Sequence, residues 1–301
     1  MTRGKLRRLC ALVAAVLSVS LVATACGGRT ASTDTGQESK TIKIGYIAWD
    51  EDIALSNLAK AQLEAKGYKV ELHQLDAAPL YSGLAKGEID LFLDAWLPST
   101  HEDYWNQYKD QLEDLGVWYD NATLNLAVPQ SVADVNSIED LKAHAAEFGG
   151  KITGIDPGAG ETRIIQDNAI PQYDLASSMT LQNSSSTAML AALDTAVKSN
   201  TPIVVALWHP HWAYSRYQLK DLADPKGAMG KGEQLHVLGR KNFGKDFPAL
   251  TKSLQALKVN DEQLGSLEDA IQKAGEGKEA DAVKQWAEQN KAFVDSAFAG
   301  V

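Results

Sequence analysis

Three tryptophans, a histidine and one glycine-rich turn are the residues of this sequence whose types and spacing suit chemistry. Trp49, Trp96 and Trp208 each follow a short apolar run, where a β-strand would reach the rim of a sheet. Core positions are filled mostly by Leu, Ile and Val, whereas an indole at the C-terminal tip of a strand suits a cleft. Each indole face attracts a cation by ~0.5–2 kcal/mol, according to its desolvation. Three faces together would hold a quaternary ammonium group, which has no N–H to donate and cannot be held by ordinary hydrogen bonds.

The stretch 155–160, IDPGAG, supplies the complementary element. A strand, a glycine-rich turn and a helix start present free backbone N–H groups and a positive dipole end to an anion. The turn lacks the glycine spacing of a dinucleotide site and the lysine of a phosphate loop. Beside an aromatic cage, the N–H groups of Gly160 and Glu161 make sense as a carboxylate seat. The Glu161 side chain is awkward there, because it would repel the anion unless it points to solvent. His101, five residues past Trp96, can donate a further hydrogen bond to the same carboxylate.

Other candidate chemistries fare worse. His209 and His211 invite a metal, but an H-x-H spacing around Pro210 without a nearby carboxylate or thiolate is a poor match to known ligand patterns. The runs 183–187 (NSSST) and 50–52 (DED) offer hydroxyls and acids, yet there is no G-x-S-x-G elbow. No enzyme activity, metal or cofactor is expected. Trp105, Trp118, Trp212 and Trp286 have no comparable placement and read as packing or surface.

The elements that would position these residues alternate strand and helix, which implies an α/β fold with mostly parallel sheets and helices on both faces. Strands are expected at 41–48, 69–75 and 89–96, the last ended by Pro98, with helices at 50–66 and 79–86 between them. Acidic residues 50–52 would complement the dipole of the first helix, and Ser99 would cap a helix running from 102 to 111. Residues 115–123 read as irregular and as the crossing into a second lobe. There a second series follows: a helix opening at 137–140, strand 151–155, helix 162–173, strand 179–182, helix 188–198 and strand 203–207. Residues 222–232 read as loop, 236–238 as the crossing back, and 247–298 as helical with gaps at Gly265 and 275–277. Lobe 1 is thus expected at 41–123 and 236–301, lobe 2 at 124–235. Two hinged lobes can close on a small ligand.

The first 25 residues are of another kind. Arg3, Lys5, Arg7 and Arg8 precede an apolar run, 9–23, that ends in small residues directly before Cys26, the pattern of a signal peptide. The Ala-Thr-Ala-Cys ending resembles a bacterial lipobox, so Cys26 is expected to be lipidated, with 26–40 as a flexible tether. Cys10 lies inside the leader, leaving Cys26 as the single cysteine of the mature chain and no intramolecular disulfide. Cleavage would carry the net charge from −10 to −14, since the leader holds four basic residues and no acidic one. Such a charge argues against nucleic acid. It is compatible with a cationic or zwitterionic ligand.

Four segments taken together, LDAWLPSTH (93–101), ITGIDPGAG (152–160), LWHPHW (207–212) with SRYQLKDLADPKG (215–227), and VNSIEDL (135–141), resemble the glycine betaine-type substrate-binding proteins of ABC transporters. The resemblance spans roughly residues 41–298. It implies a two-lobed type II binding-protein fold, with Trp49, Trp96 and Trp208 as a cage for a trimethylammonium group. It further implies His101 and the N–H groups of Gly160 and Glu161 as carboxylate contacts. The departure is Glu161, where the relatives carry an apolar residue. The expected protein is a monomeric receptor on the extracytoplasmic face of the membrane, lipid-anchored, that binds a betaine and delivers it to an ABC permease for osmoprotectant uptake. Choline, carnitine, proline betaine or ectoine are alternative ligands, and a surface-anchored hydrolase of choline-containing substrates is the alternative from another class. IDPGAG and His101 favour a zwitterion over choline.

Overall fold

Why β3 (Leu91–Leu97) should be buried at all seven positions is the first structural question, since strands with one wet face alternate. Helices α1 (Asp50–Ala65) and α2 (Ala77–Lys86) pack on it, which suits a run that is apolar at every position but Asp94. The computed structural model describes residues 41–301; the leader, Cys26 and the tether lie outside the described residues. Strands β1 (Thr41–Tyr46) and β2 (Lys69–Gln74) run parallel to each other, and β1 runs parallel to β3. On α1, Leu55, Leu58, Ala59 and Leu63 form the buried stripe, a helical spacing.

The sheet continues through β9 (Glu233–Arg240) and β4 (Leu112–Pro129), then β7 (Val205–His209), β5 (Lys151–Thr153) and β6 (Thr180–Gln182). The short β8 (Leu219–Asp221) pairs with β4 alone. Parallel pairs are confined to the two ends of this order; β3–β9, β9–β4 and β4–β7 are antiparallel. The mostly parallel sheet expected from alternation is therefore mixed, because the segments 115–123 and 236–238 lie in two strands, β4 and β9, that pair antiparallel with each other.

That corrects a second expectation. Residues 115–123 are not irregular but the middle of β4, the longest strand of the chain. The turn-forming residues that disguise it are absorbed as bulges. Register shifts fall at Asp114/Gly116, Val117/Tyr119 and Asp120/Ala122, and Gly116 and Asn121 hold left-handed backbone there (φ +123° and +66°). Likewise Gly265 does not break the C-terminal helices, since it lies inside helix Asp261–Ala274. That helix starts with a capping box between Asn260 and Gln263. Ser99 is not a helix cap either. Helix α3 (Glu102–Tyr108) begins after His101, and the N–H groups of Ser99 and Thr100 donate to the Glu233 carboxylate of β9.

Trp118 locks β4 onto β3: it is fully buried and its Nε1 donates to the Leu93 carbonyl at 2.5 Å. Trp118→Ala is expected to lower stability by ~3–5 kcal/mol, as for other buried aromatic truncations. Urea unfolding checks this, and a loss under ~1 kcal/mol would contradict the role given to this residue.

Candidate functional site

All six expected ligand contacts come together. Trp49, Trp96, Trp208, His101, Gly160 and Glu161 line one cavity of about 260 Å³. Glu51, Thr100, Leu124, Ile155 and Ala159 complete its wall. The three indoles arrive from three places. Trp96 is the penultimate residue of β3, paired with Leu235, and Trp208 the penultimate residue of β7, paired with Leu124. Trp49 lies past the end of β1 and flanks the start of α1. They are 4%, 2% and 2% exposed, so none of the rings faces bulk water and any cation between them would be desolvated.

The turn after β3 fixes His101 from two sides. Its N–H donates to the Trp96 carbonyl at 2.9 Å, and its Nδ1 accepts the Trp96 N–H at 3.0 Å. Accepting at Nδ1 places the ring proton on Nε2, which has no partner in the protein although it is buried. The ring stacks on Trp49 at 5.5 Å and 22°, with Tyr81 edge-on at 5.7 Å. Burial, with the nearby Arg163 charge adding to it, pushes the imidazole pKa down to about 3. His101 is thus a neutral, pre-aimed N–H donor.

The opposite wall comes from the turn after β5. Helix α4 (Gly160–Ile164) starts there and continues through a π turn, Ile165–Ala169, to Ile170–Gln172. A Cβ on Gly160 would fall inside the Thr100 carbonyl, so only glycine lets this turn meet the β3 turn. Arg163 Nη2 donates to the Ser99 carbonyl at 2.9 Å and its Nε lies 3.2 Å from Asp103; the Tyr104 hydroxyl donates to the Gly158 carbonyl at 2.9 Å. The first-turn N–H groups of α4 have no acceptor inside the helix, and Gly160 and Glu161, which carry two of them, line the cavity.

Glu161 departs from expectation. Its side chain is not in solvent but 2% exposed in the cavity wall, and neither carboxyl oxygen has a partner. Burial, then the neighbouring Glu51, pushes its pKa well above the carboxyl range. The acids of the first α1 turn are buried as well, rather than solvated at the helix start. Glu51 accepts the Trp208 Nε1–H at 2.8 Å and burial raises its pKa to about 8. Asp52, holding the Ile47 N–H at 2.7 Å and the Ser56 hydroxyl at 3.0 Å, is raised to about 8 by burial, and Asp94 is raised by burial and by Glu51 and Asp52. In this enclosed arrangement burial thus opposes the charge on each of these carboxyls. Asp50 differs. Burial opposes its charge too, but the His211, Trp212 and Gln272 donors hold it below the ordinary range.

Sequence reading missed Glu51, whereas Trp212, read as packing or surface, is buried outside the cavity. Trp212 Nε1 donates to Asp50 at 2.7 Å and its N–H to Glu268 at 2.8 Å, so it ties α1 to the segment after β7. The signal available for Glu51 was its position two residues after a cleft-facing tryptophan. His209 pairs with Asp221 at 2.8 Å, while His211 Nδ1 accepts the Ala213 N–H and its Nε2 lies 3.3 Å from Asp50; the two rings do not converge. Among the described residues, no group of three or more His, Cys, Asp or Glu is placed to hold a metal. Ser185 accepts the Ala188 N–H and caps helix Ser186–Ser199.

The family described as the substrate-binding domain of ABC-type glycine betaine transport systems matches residues 40–289. The chain belongs to that family. A glycine betaine/carnitine transport binding protein of Listeria monocytogenes is 40% identical over 101 residues, a match covering 34% of each chain. A lactococcal binding protein in its closed, glycine betaine-bound form is 34% identical, with a TM-score of 0.79 over 86% of this chain and 99% of that one. An ABC-transporter choline-binding protein in complex with choline is 25% identical, with a TM-score of 0.78 over 87% of this chain and 93% of that one. Members of this family are two-lobed extracytoplasmic receptors that bind small betaines and work with an ABC permease; they are transport proteins rather than enzymes. Among the described residues, no helix is long and apolar enough to cross a membrane.

The geometry of His101 makes a direct test possible. Nitrogen-15 NMR of the imidazole is expected to show a neutral ring with Nε2 protonated down to about pH 4, well below the free-histidine range. Because the folded pKa is depressed, the unfolded chain takes up the proton first, so His101 draws down stability as pH falls from about 6.5 toward 3. Titration of His101 near pH 6.5 would contradict this environment.

Proposed function

We propose that this protein is the receptor of an ABC importer and captures glycine betaine, or a close quaternary ammonium relative such as carnitine, proline betaine or choline, in the 260 Å³ cavity. The observation that carries this reading is the convergence of three buried indoles and one unpartnered imidazole N–H on a single space. A trimethylammonium group would lie against Trp49, Trp96 and Trp208, where its attraction to the ring faces is strengthened by the absence of water. The ligand's carboxylate would accept from His101 Nε2–H and from the N–H groups of Gly160 and Glu161.

The wider setting follows the same reading. Lobe 1 would comprise 41–123 and 236–301, lobe 2 124–235, so the 97–101 turn and the 155–161 turn belong to different lobes and meet on closure. Cys26 would carry the lipid anchor and the monomeric protein would act at the extracytoplasmic face, supplying an osmoprotectant to its permease. A glycine betaine-binding relative and a choline-binding relative share the fold at similar TM-scores, which keeps the ligand class broad in its polar end but narrow in its cationic one.

Alanine at Trp49, Trp96 or Trp208 is expected to weaken glycine betaine binding by ~1–3 kcal/mol each, combining lost cation–π attraction with lost apolar contact. His101→Ala is expected to cost ~1.5–3 kcal/mol, as for a hydrogen bond to a charged group. Trp286, whose Nε1 donates to Ser266 away from the cavity, should be replaceable by alanine without change in affinity. Isothermal calorimetry decides, and a cage variant with wild-type affinity removes that residue from the site.

A further inference from the structure

One polar side chain of the cavity is left without a role by the cage and the histidine. Glu161 is buried in the wall with both carboxyl oxygens unpartnered, while Glu51 is already engaged by Trp208 Nε1. Beside the backbone N–H groups of Gly160 and Glu161, the side chains at the polar end of the cavity thus offer one fixed donor, His101 Nε2–H, and one group that is a donor when protonated and an acceptor when ionised. A ligand carboxylate and an ionised Glu161 would be two like charges side by side in one buried site, which strongly favours protonation of one of them. A ligand hydroxyl meets no such conflict: it accepts from His101 and donates to Glu161, whose negative charge then complements the ammonium in the cage.

Resting on the reading of this cavity as the ligand site, we propose that Glu161 makes zwitterionic betaines bind with uptake of one proton, whereas hydroxyl-terminated quaternary ammonium cations bind without one. With a betaine, the protonated Glu161 donates its O–H to the ligand's carboxylate beside the His101 donor. With an alcohol, Glu161 stays ionised and accepts.

The groups facing Glu161 act in known directions. Glu51, from α1, opposes its ionisation and reinforces burial, while the main chain at Leu207 and Asn125 favours the ion. Tyr214, from helix Ala213–Arg216, is held in its protonated form by burial and by Asp221, which accepts its hydroxyl. His101 is neutral across the range concerned. Arg163, two residues along the same helix, is turned to Ser99 and Asp103. When the two lobes of the proposed cleft part and water reaches Glu161, the burial that raises its carboxyl is lost and its pKa falls back toward the ordinary carboxyl range. With a betaine enclosed it would titrate far above that range, so neutral pH falls between the two and the linkage is visible there.

The test is calorimetric titration of the intact mature protein with glycine betaine and, separately, with choline, in buffers of different ionisation enthalpy near pH 7.5. The expected result is about one proton taken up per glycine betaine and none per choline. Glycine betaine affinity should fall by up to about tenfold per pH unit as pH rises through neutrality, while choline affinity does not fall. Glu161→Gln, whose amide can donate at any pH, should abolish the uptake and flatten the betaine profile. Glycine betaine binding without proton uptake by the wild type overturns the inference and leaves the cavity assignment standing. Uptake that survives Glu161→Gln but disappears in Glu51→Gln overturns it too. Failure of both ligands to bind overturns the inference together with the reading of the cavity.

Discussion

Two turns from opposite ends of one sheet must touch for this site to exist. The turn after β3 carries Trp96 and His101; the turn after β5 carries Gly160 and Glu161. They meet where Gly160 lies against the Thr100 carbonyl, a contact no residue with a side chain could make. Arg163 and Tyr104 then bridge the same seam through Ser99, Asp103 and Gly158. This contact brings the His101 side and the Gly160 side of the cavity together, because the two turns follow strands that are not neighbours. In the strand order, β3 and β5 are separated by β9, β4 and β7. The Glu233 carboxylate holds the first turn in shape from below, by accepting the Ser99 and Thr100 N–H groups and the Thr100 hydroxyl.

Electrostatics set the second constraint. The chain is acidic overall, yet the acids nearest the cavity are buried, and burial opposes the charge on Glu51, Asp52, Asp94 and Glu161 alike. A wall of protonated carboxyls costs far less to enclose than a wall of carboxylates. It also leaves the charge of the site adjustable by the ligand. Asp50 is the counterexample that shows the rule. With donors from His211, Trp212 and Gln272 it keeps its charge, and it spends that charge tying α1 to the segment after β7 and to helix Asp261–Ala274.

Much of this arrangement was legible in the sequence. Strand and helix types followed from periodicity, and the ends moved by one or two residues: the strand expected at 203–207 is Val205–His209, which places Trp208 within it rather than past it. The middle of β4 was not legible, because Gly116 and the Asp120–Asn121 pair carry turn chemistry that the strand takes up as bulges. The six residues singled out do share one cavity, since strand-tip tryptophans and a glycine-rich helix start have few other uses. The inward course of Glu161 and the role of Glu51 were not legible. Both sit in first helical turns, where side-chain direction depends on how the turn docks against a distant partner, and sequence spacing does not report that docking.

The central claim is that a quaternary ammonium group is enclosed between Trp49, Trp96 and Trp208. The most direct measurement is a crystal structure of the mature protein grown with glycine betaine. The account predicts the trimethylammonium group in van der Waals contact with all three indoles and the carboxylate within hydrogen-bond distance of His101 Nε2. Ligand density elsewhere, for example in the larger groove beside Asn57 and Gln74, with the indole cavity filled only by solvent, would contradict it.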